Sequence, residues 1–276
     1  MTVSWLRSLP DLCEVGLPAL PPVDDPAHRM MQSRGMRIHV PPDEGFWGQS
    51  VAEFALGLTI CGLRRIPQLH HDMLTSHSPW DYSPPGGVGR PGVRGIQFGD
   101  DPQMANGTVA GKRVRIAGMG NVGGRYAAFC RCLGAEVAAW DPMAAPETFA
   151  RSSTRQVGQL ADLVGDADIF APMLPLREAT RGLIDAALIN SLPVGALVVL
   201  VTRMAVCDAG ALRQRVLNDE IALASDVFDV EPLPLDDPLL GRHNVVHTPH
   251  NAGRTVHANH AMVESILDQF TSAAAS

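Results

Sequence analysis

The sequence predicts an α/β protein: a doubly wound parallel sheet joined to a second, reduced and discontinuous domain. Three observations carry this. Short segments apolar on both sides (Arg113–Ala117, Glu136–Trp140, Ile169–Leu174 and Leu197–Thr202) alternate with stretches of helical character. Strands of that kind belong to a parallel sheet covered on both faces. A glycine-rich turn, Gly118-Met119-Gly120-Asn121-Val122-Gly123, leads directly from the first of them into a helix. The length of 276 residues, at about 150 per domain, suits one large domain or two ordinary ones.

The elements follow in order. Residues 1–49 are rich in proline and short apolar fragments, with one strand, Met36–Val40, after a turn at Gly35. Ser50–Met73 reads as a long helix, with Ser50 as its cap, Glu53 three residues on and apolar residues at helical spacing. Pro67 kinks that helix or begins a second one. Residues 76–108 are so dense in glycine and proline that no periodicity survives. They read as a loop, either a flap over a site or a solvated linker. From Arg113 the strand and helix alternation takes over, and a last helix lies near His257–Ala273. The larger domain is therefore expected over 50–254 and the smaller over 1–49 with 255–276.

Composition narrows the function. Hydrophobic residues at 46% and charged residues at 18% exclude a disordered, collagen-like or coiled-coil chain. A net charge of −7 argues against nucleic acid or an anionic membrane as partner. The five cysteines show no framework spacing, and Cys130-x-Cys132 has no second pair to complete a zinc set, so free thiols in a reducing cytoplasm are expected. The N-terminus lacks a signal-peptide pattern, and no apolar run approaches the ~18 residues of a membrane span.

The glycine turn is the densest signal. Gly118 permits the tight turn, Gly120 lets the backbone approach a pyrophosphate, and Gly123 lets helix and strand pack closely. The helix that follows offers unpaired N–H groups and positive dipole to an anion. Asp141, 18 residues beyond Gly123 at the end of the second strand, can accept bonds from both hydroxyls of the adenosine ribose. A carboxylate there would repel a 2′-phosphate, and the next residues, Pro142 and Met143, supply no cation. The expected cofactor is NAD rather than NADP, on a Rossmann domain.

Three residues stand near the ends of later elements: Arg203 after ALVVLVT, Glu231 in DVFDVEPLP and His250 in TPHNAGRT. Ligands bind at the carboxyl ends of strands in this architecture. His70 and His71 lie on a helix with no third ligand, and His247 and His257 read as surface residues; no metal is assigned.

At SVAEFALGL, GMGNVGG, LPLREATRGLI, VTRMAVCD, DVFDVEPLP and TPHNAGRT the sequence resembles the D-isomer-specific 2-hydroxyacid dehydrogenases, over about residues 36–270. The resemblance implies that Arg203, Glu231 and His250 form the catalytic trio and that Asp226 holds the nicotinamide carboxamide. It further implies that Leu174, Pro175, Thr180, Thr202, Arg203 and His250 line the cofactor together with Gly118, Gly120, Asn121, Val122, Gly123 and Asp141. It also implies a 2-keto or 2-hydroxy acid substrate and a homodimer formed through the larger domain and the SVAEFALGL helix. Reducing a keto acid needs a proton donor near working pH, which a histidine supplies. A carboxylate partner favours the imidazolium and orients the ring, and an arginine fork holds the substrate carboxylate.

Several residues depart from the family pattern. Only about 35 residues precede Met36–Val40, so the family's earliest strands have no counterpart here. The loop expected to cradle the substrate carboxylate, near Leu20–Asp24, reads LPPVDD, and two prolines remove N–H donors. Met204 stands where a glycine follows the arginine, adding bulk beside the nicotinamide site, and Asn251 replaces an apolar residue. These departures keep a second reading open: a non-catalytic NAD(H)-binding regulatory or interaction protein, or a truncated family member.

Overall fold

The computed structural model describes residues 2–41, 46–80, 92 and 99–274. They divide into two compact units, Met1–Trp47 with Arg254–Ser276, and Gly48–Gly253.

In the first unit, α1 (Val3–Ser8), β1 (Glu14–Gly16), α2 (Pro26–Ser33) and β2 (Arg37–His39) precede the boundary. Strands β1 and β2 pair in parallel. Leu6, Ala27, Met31 and Met36 form a small core. Asp25 caps α2 by accepting from the Ala27 amide at 2.7 Å, with Pro26 opening the helix where its missing N–H has no cost.

The second unit opens with α3 (Gly48–Arg64) and α4 (Ile66–Met73). The helix begins two residues before the expected cap, so Ser50 lies in its first turn and Glu53 instead accepts from Gln49 Nε2 at 2.6 Å. The break falls at Arg65, which adopts a left-handed φ of 52°; Pro67 then sits in the first turn of α4. Ala52, Ala55, Leu58 and Leu63 of α3 are buried in the core of this unit.

Then follow β3 (Arg113–Ala117), α5 (Gly123–Cys132), β4 (Glu136–Trp140), α6 (Pro146–Arg151), β5 (Arg155–Gln156), α7 (Ala161–Val164), β6 (Ile169–Pro172), α8 (Ala186–Ser191), β7 (Leu197–Leu200), α9 (Ala209–Leu217), β8 (Ala222–Ser225) and β9 (Val245–His247). The last helix, α10 (Val256–Ala274), belongs to the first unit. The seven strands form one parallel sheet in the order β5-β4-β3-β6-β7-β8-β9, with apolar cores on both faces. Chain order reverses between β3 and β6, the switch point where such sheets open a ligand crevice.

The expected strand Ile169–Leu174 stops at Pro172 and Leu197–Thr202 at Leu200, freeing the residues beyond for the carboxyl edge. Of the expected loop 76–108, residues 81–91 and 93–98 lie outside the described residues. The stretch leading into β3 packs against the sheet: Met104 and Val109 are buried in the core and Ala105 N–H donates to Gly195 O at 2.7 Å.

A buried charge lies within the strands. Arg115 on β3 is 1% exposed, and its guanidinium binds Asp166 through two bonds of 2.7 and 2.6 Å and Glu136 at 3.0 Å. The hydrogen bonds from Arg115 hold the Asp166 carboxyl below its ordinary value, against the opposing effect of burial. Asp166 therefore contributes stability above its unfolded pKa, and the contribution is lost as pH falls through the lowered folded value. Asp166→Asn should cost about 1–3 kcal/mol near neutral pH, the buried-pair figure reduced for a half-exposed partner. Urea midpoints of variant and parent should converge in acid; a constant gap down to the acid limit would contradict this.

Candidate active site

The glycine turn lies between β3 and α5. Gly118 has φ 102°, and a Cβ there would meet Met173 O at 2.8 Å; at Gly123 it would meet Gly118 O at 2.0 Å. No side chain fits at either position. At Gly120 a Cβ would meet nothing within 4 Å, so the backbone there faces open space in which a pyrophosphate can approach. Asp141, at the end of β4, accepts from the Met119 amide at 2.7 Å and from the Met143 and Ala144 amides at 2.9 and 3.1 Å. A carboxylate has about four acceptor positions, so one remains for a ribose hydroxyl. The turn could hold a dinucleotide, with open backbone at Gly120 for the phosphates and the remaining acceptor of Asp141 for the ribose.

The next loops rise from neighbouring strands on the same edge. Leu174 is buried after β6 and would lie 3.1 Å from a Cβ at Gly118. Thr180 closes that loop, its hydroxyl donating to Pro175 O at 2.6 Å and accepting from the Arg177 amide at 2.8 Å. Thr202, after β7, donates to Pro172 O at 3.1 Å and so joins the ends of β6 and β7.

The structure brings Arg203, Glu231 and His250 together. His250 Nδ1 stands 2.6 Å from Glu231 Oε2, and its Nε2 stands 3.5 Å from Arg203 Nη1. Glu231 Oε1 accepts from the Phe228 amide at 2.7 Å. Burial pushes the Glu231 pKa up, but the hydrogen bonds from His250 and Phe228, with the charges of His250 and Arg203, outweigh it and hold the carboxyl below its ordinary value. The chain therefore presents a carboxylate-anchored imidazole with its outer nitrogen beside a guanidinium. Such a set can donate a proton at Nε2 and hold an anion next to it.

Asp226 has a role that sequence reasoning missed. It is 0% exposed, and its carboxylate accepts from the Thr248 hydroxyl at 2.6 Å and the Asn251 and Ala252 amides at 3.0 and 2.8 Å. Those bonds hold the turn after β9, in which His250 takes a left-handed φ of 55°, a conformation costly for a non-glycine residue. A carboxylate ending a buried strand is the only sequence signal; its partners lie 22–26 residues away.

Met204 is buried in the core with Ile184 and Val206 and begins a short turn that follows the extended Arg203. Asn251 is exposed and acts through its backbone N–H. His70, His71, His247 and His257 are exposed. Among the described residues no three His, Cys, Asp or Glu gather as a metal site.

In the first unit, residues 20–24 form a turn whose carbonyls face inward: Pro21 O and Pro22 O lie 2.7 and 3.1 Å from His28 Nδ1. A groove of about 780 Å³ beside it is lined by Pro18, Ala19, Leu20, Val40, Pro41, Trp47, Ser265 and Gln269.

Residues 90–252 match the family model described as "D-isomer specific 2-hydroxyacid dehydrogenase, NAD binding domain". The chain is 30% identical over 207 residues to a D-3-phosphoglycerate dehydrogenase of Archaeoglobus fulgidus, covering 75% of this chain and 35% of that protein. It is 29% identical over 220 residues to a glyoxylate reductase of Aeropyrum pernix, covering 79% and 61%. The chain thus spans from about a third to under two thirds of these relatives. Among solved structures, a D-lactate dehydrogenase of Treponema pallidum superposes with a TM-score of 0.74 at 20% identity over 97% of this chain and 78% of its own, a likeness of fold.

Two outcomes are expected. Asp226→Ala, which strands two backbone amides, should lower stability by about 3 kcal/mol in urea unfolding; a loss below ~0.5 kcal/mol, the size of an ordinary surface substitution, would contradict the role given to it. Gly123→Ala should weaken NADH binding at least ~10-fold in a fluorescence titration, the equivalent of a 1–3 kcal/mol overpacking penalty; unchanged affinity would contradict the packing at the turn.

Proposed function

The chain belongs to the D-isomer specific 2-hydroxyacid dehydrogenase family, and from that premise we propose that it is an NAD-dependent oxidoreductase interconverting a 2-keto acid and a D-2-hydroxy acid. The observation that carries this reading is the His250 ring held at 2.6 Å by Glu231 with Arg203 at its other nitrogen.

The roles follow from the chemistry. Bound nicotinamide supplies or accepts the hydride. His250 gives a proton from Nε2 to the carbonyl oxygen during reduction and retrieves it in the reverse direction. Glu231 fixes the ring and stabilises the imidazolium. Arg203 offers donors to the substrate carboxylate and carbonyl. Asp141 selects NAD by repelling a 2′-phosphate. The likeness of the chain to dehydrogenases and reductases favours this reading over a purely NAD(H)-binding role. Pairing of two copies through the second unit, and a reducing cytoplasmic setting in keeping with five free cysteines, complete the proposal. No helix among the described residues is long and apolar enough to cross a membrane.

The test is NADH oxidation with glyoxylate, pyruvate, hydroxypyruvate and larger 2-keto acids. At least one should turn over, and His250→Ala should lower its kcat by ~10²–10⁴ with NADH affinity preserved. Because Glu231 is held as a carboxylate below its ordinary range, reduction should not decline as pH falls from about 7 to about 5, above the ordinary glutamate pKa. No turnover with any acid despite NADH binding would overturn the proposal.

A further inference from the structure

The segment that carries Glu231 has little apolar material to hold it. Asp229, Val230, Glu231, Pro232, Pro234, Leu235 and Asp236 are all exposed, Leu235 almost completely. Yet the 2.6 Å contact to His250 needs this segment placed within a few tenths of an ångström.

One side chain from another element ties both ends of it. Arg213, on α9, points its guanidinium between Asp229 and Asp237. Nε lies 3.0 Å from both oxygens of Asp229, and Nη2 lies 2.8 Å from Asp229 Oδ1 and 2.8 Å from Asp237 Oδ2. Nη1 completes the set at 3.2 Å from Asp237 Oδ1. The arginine is 18% exposed and Asp237 8%, so both are shielded from the screening that weakens surface pairs. The Asp237 carboxyl also accepts from the Leu239 amide at 2.9 Å, which fixes the far end of the segment to the buried Leu239. The two carboxylates would repel one another without the intervening cation. A planar five-donor fork can serve two carboxylates at once; a lysine ammonium presents a single point.

We propose that Arg213 is a positioning residue for the reaction: by clamping Asp229 and Asp237 it fixes the intervening segment so that Glu231 meets His250. The inference rests on the oxidoreductase reading above for its kinetic consequences, and on the clamp geometry alone for its structural ones.

Arg213→Met, Arg213→Lys, Glu231→Gln and the double variant Arg213→Met/Glu231→Gln test it, with NADH affinity confirming the fold of each. With the keto acid that the parent reduces, Arg213→Met should lower kcat ~10-fold or more, leave KM within ~3-fold and move the alkaline decline of the pH–rate profile to lower pH. Arg213→Lys should fall between. In the Glu231→Gln background the same change should cost less than ~2-fold, the non-additivity of residues acting through one another. Hydrogen exchange of the 228–237 segment should quicken ~10-fold in Arg213→Met, about 1.4 kcal/mol of lost local stability. A folded Arg213→Met with parental kcat and pH profile, or additive losses in the double variant, would overturn the proposal. If Arg213→Met does not fold, parental kinetics in Arg213→Lys would do so. If the parent reduces no keto acid, the oxidoreductase reading falls instead, and exchange alone decides the clamp: faster exchange upholds it and unchanged exchange overturns it.

Discussion

The 2.6 Å contact between His250 Nδ1 and Glu231 Oε2 is the interaction on which the rest of this site depends. It joins residues of two loops 19 positions apart. One is pulled into place by a buried carboxylate: Asp226 collects the Thr248 hydroxyl and two amides and so bends the chain through the left-handed position at His250. The other is braced by the Phe228 amide on Glu231 and by paired carboxylates around a guanidinium. Charge and hydrogen bonding set the geometry here: the segment carrying Glu231 is largely exposed, and the turn carrying His250 is tied by the bonds to Asp226.

The parallel sheet makes such an arrangement possible. Strands β3, β6, β7, β8 and β9 lie side by side with their carboxyl ends on one edge, so each following loop contributes one part of the site. The turn after β3 offers open backbone at Gly120, and the loops after β6 and β7 are bonded together through Thr202. Arg203 follows, then the loop after β8 with Glu231, then the turn after β9 with His250. A site built this way places its charged groups beyond the strand ends, while the strands beneath are largely apolar on both faces.

Much of this was legible in the sequence, because the signals were local. Arg113–Ala117 and Glu136–Trp140 matched to the residue, since short, mainly apolar segments bounded by turn residues suit strands of a covered sheet. The glycine turn was legible because each glycine answers a separate steric demand. What escaped was non-local or short. Strands β1 and β5 span three and two residues and carry no periodicity. The work of Asp226 and Arg213 depends on partners brought close only by the fold, and no spacing rule connects them.

The most direct test of the central claim is a crystal structure with NADH and oxamate, an unreactive mimic of a 2-keto acid. The account predicts oxamate with its carbonyl oxygen ~3 Å from His250 Nε2 and its carboxylate within hydrogen-bond reach of Arg203, with the Glu231 contact intact. Oxamate bound away from all three residues, or His250 turned from Glu231 while NADH is in place, would contradict it.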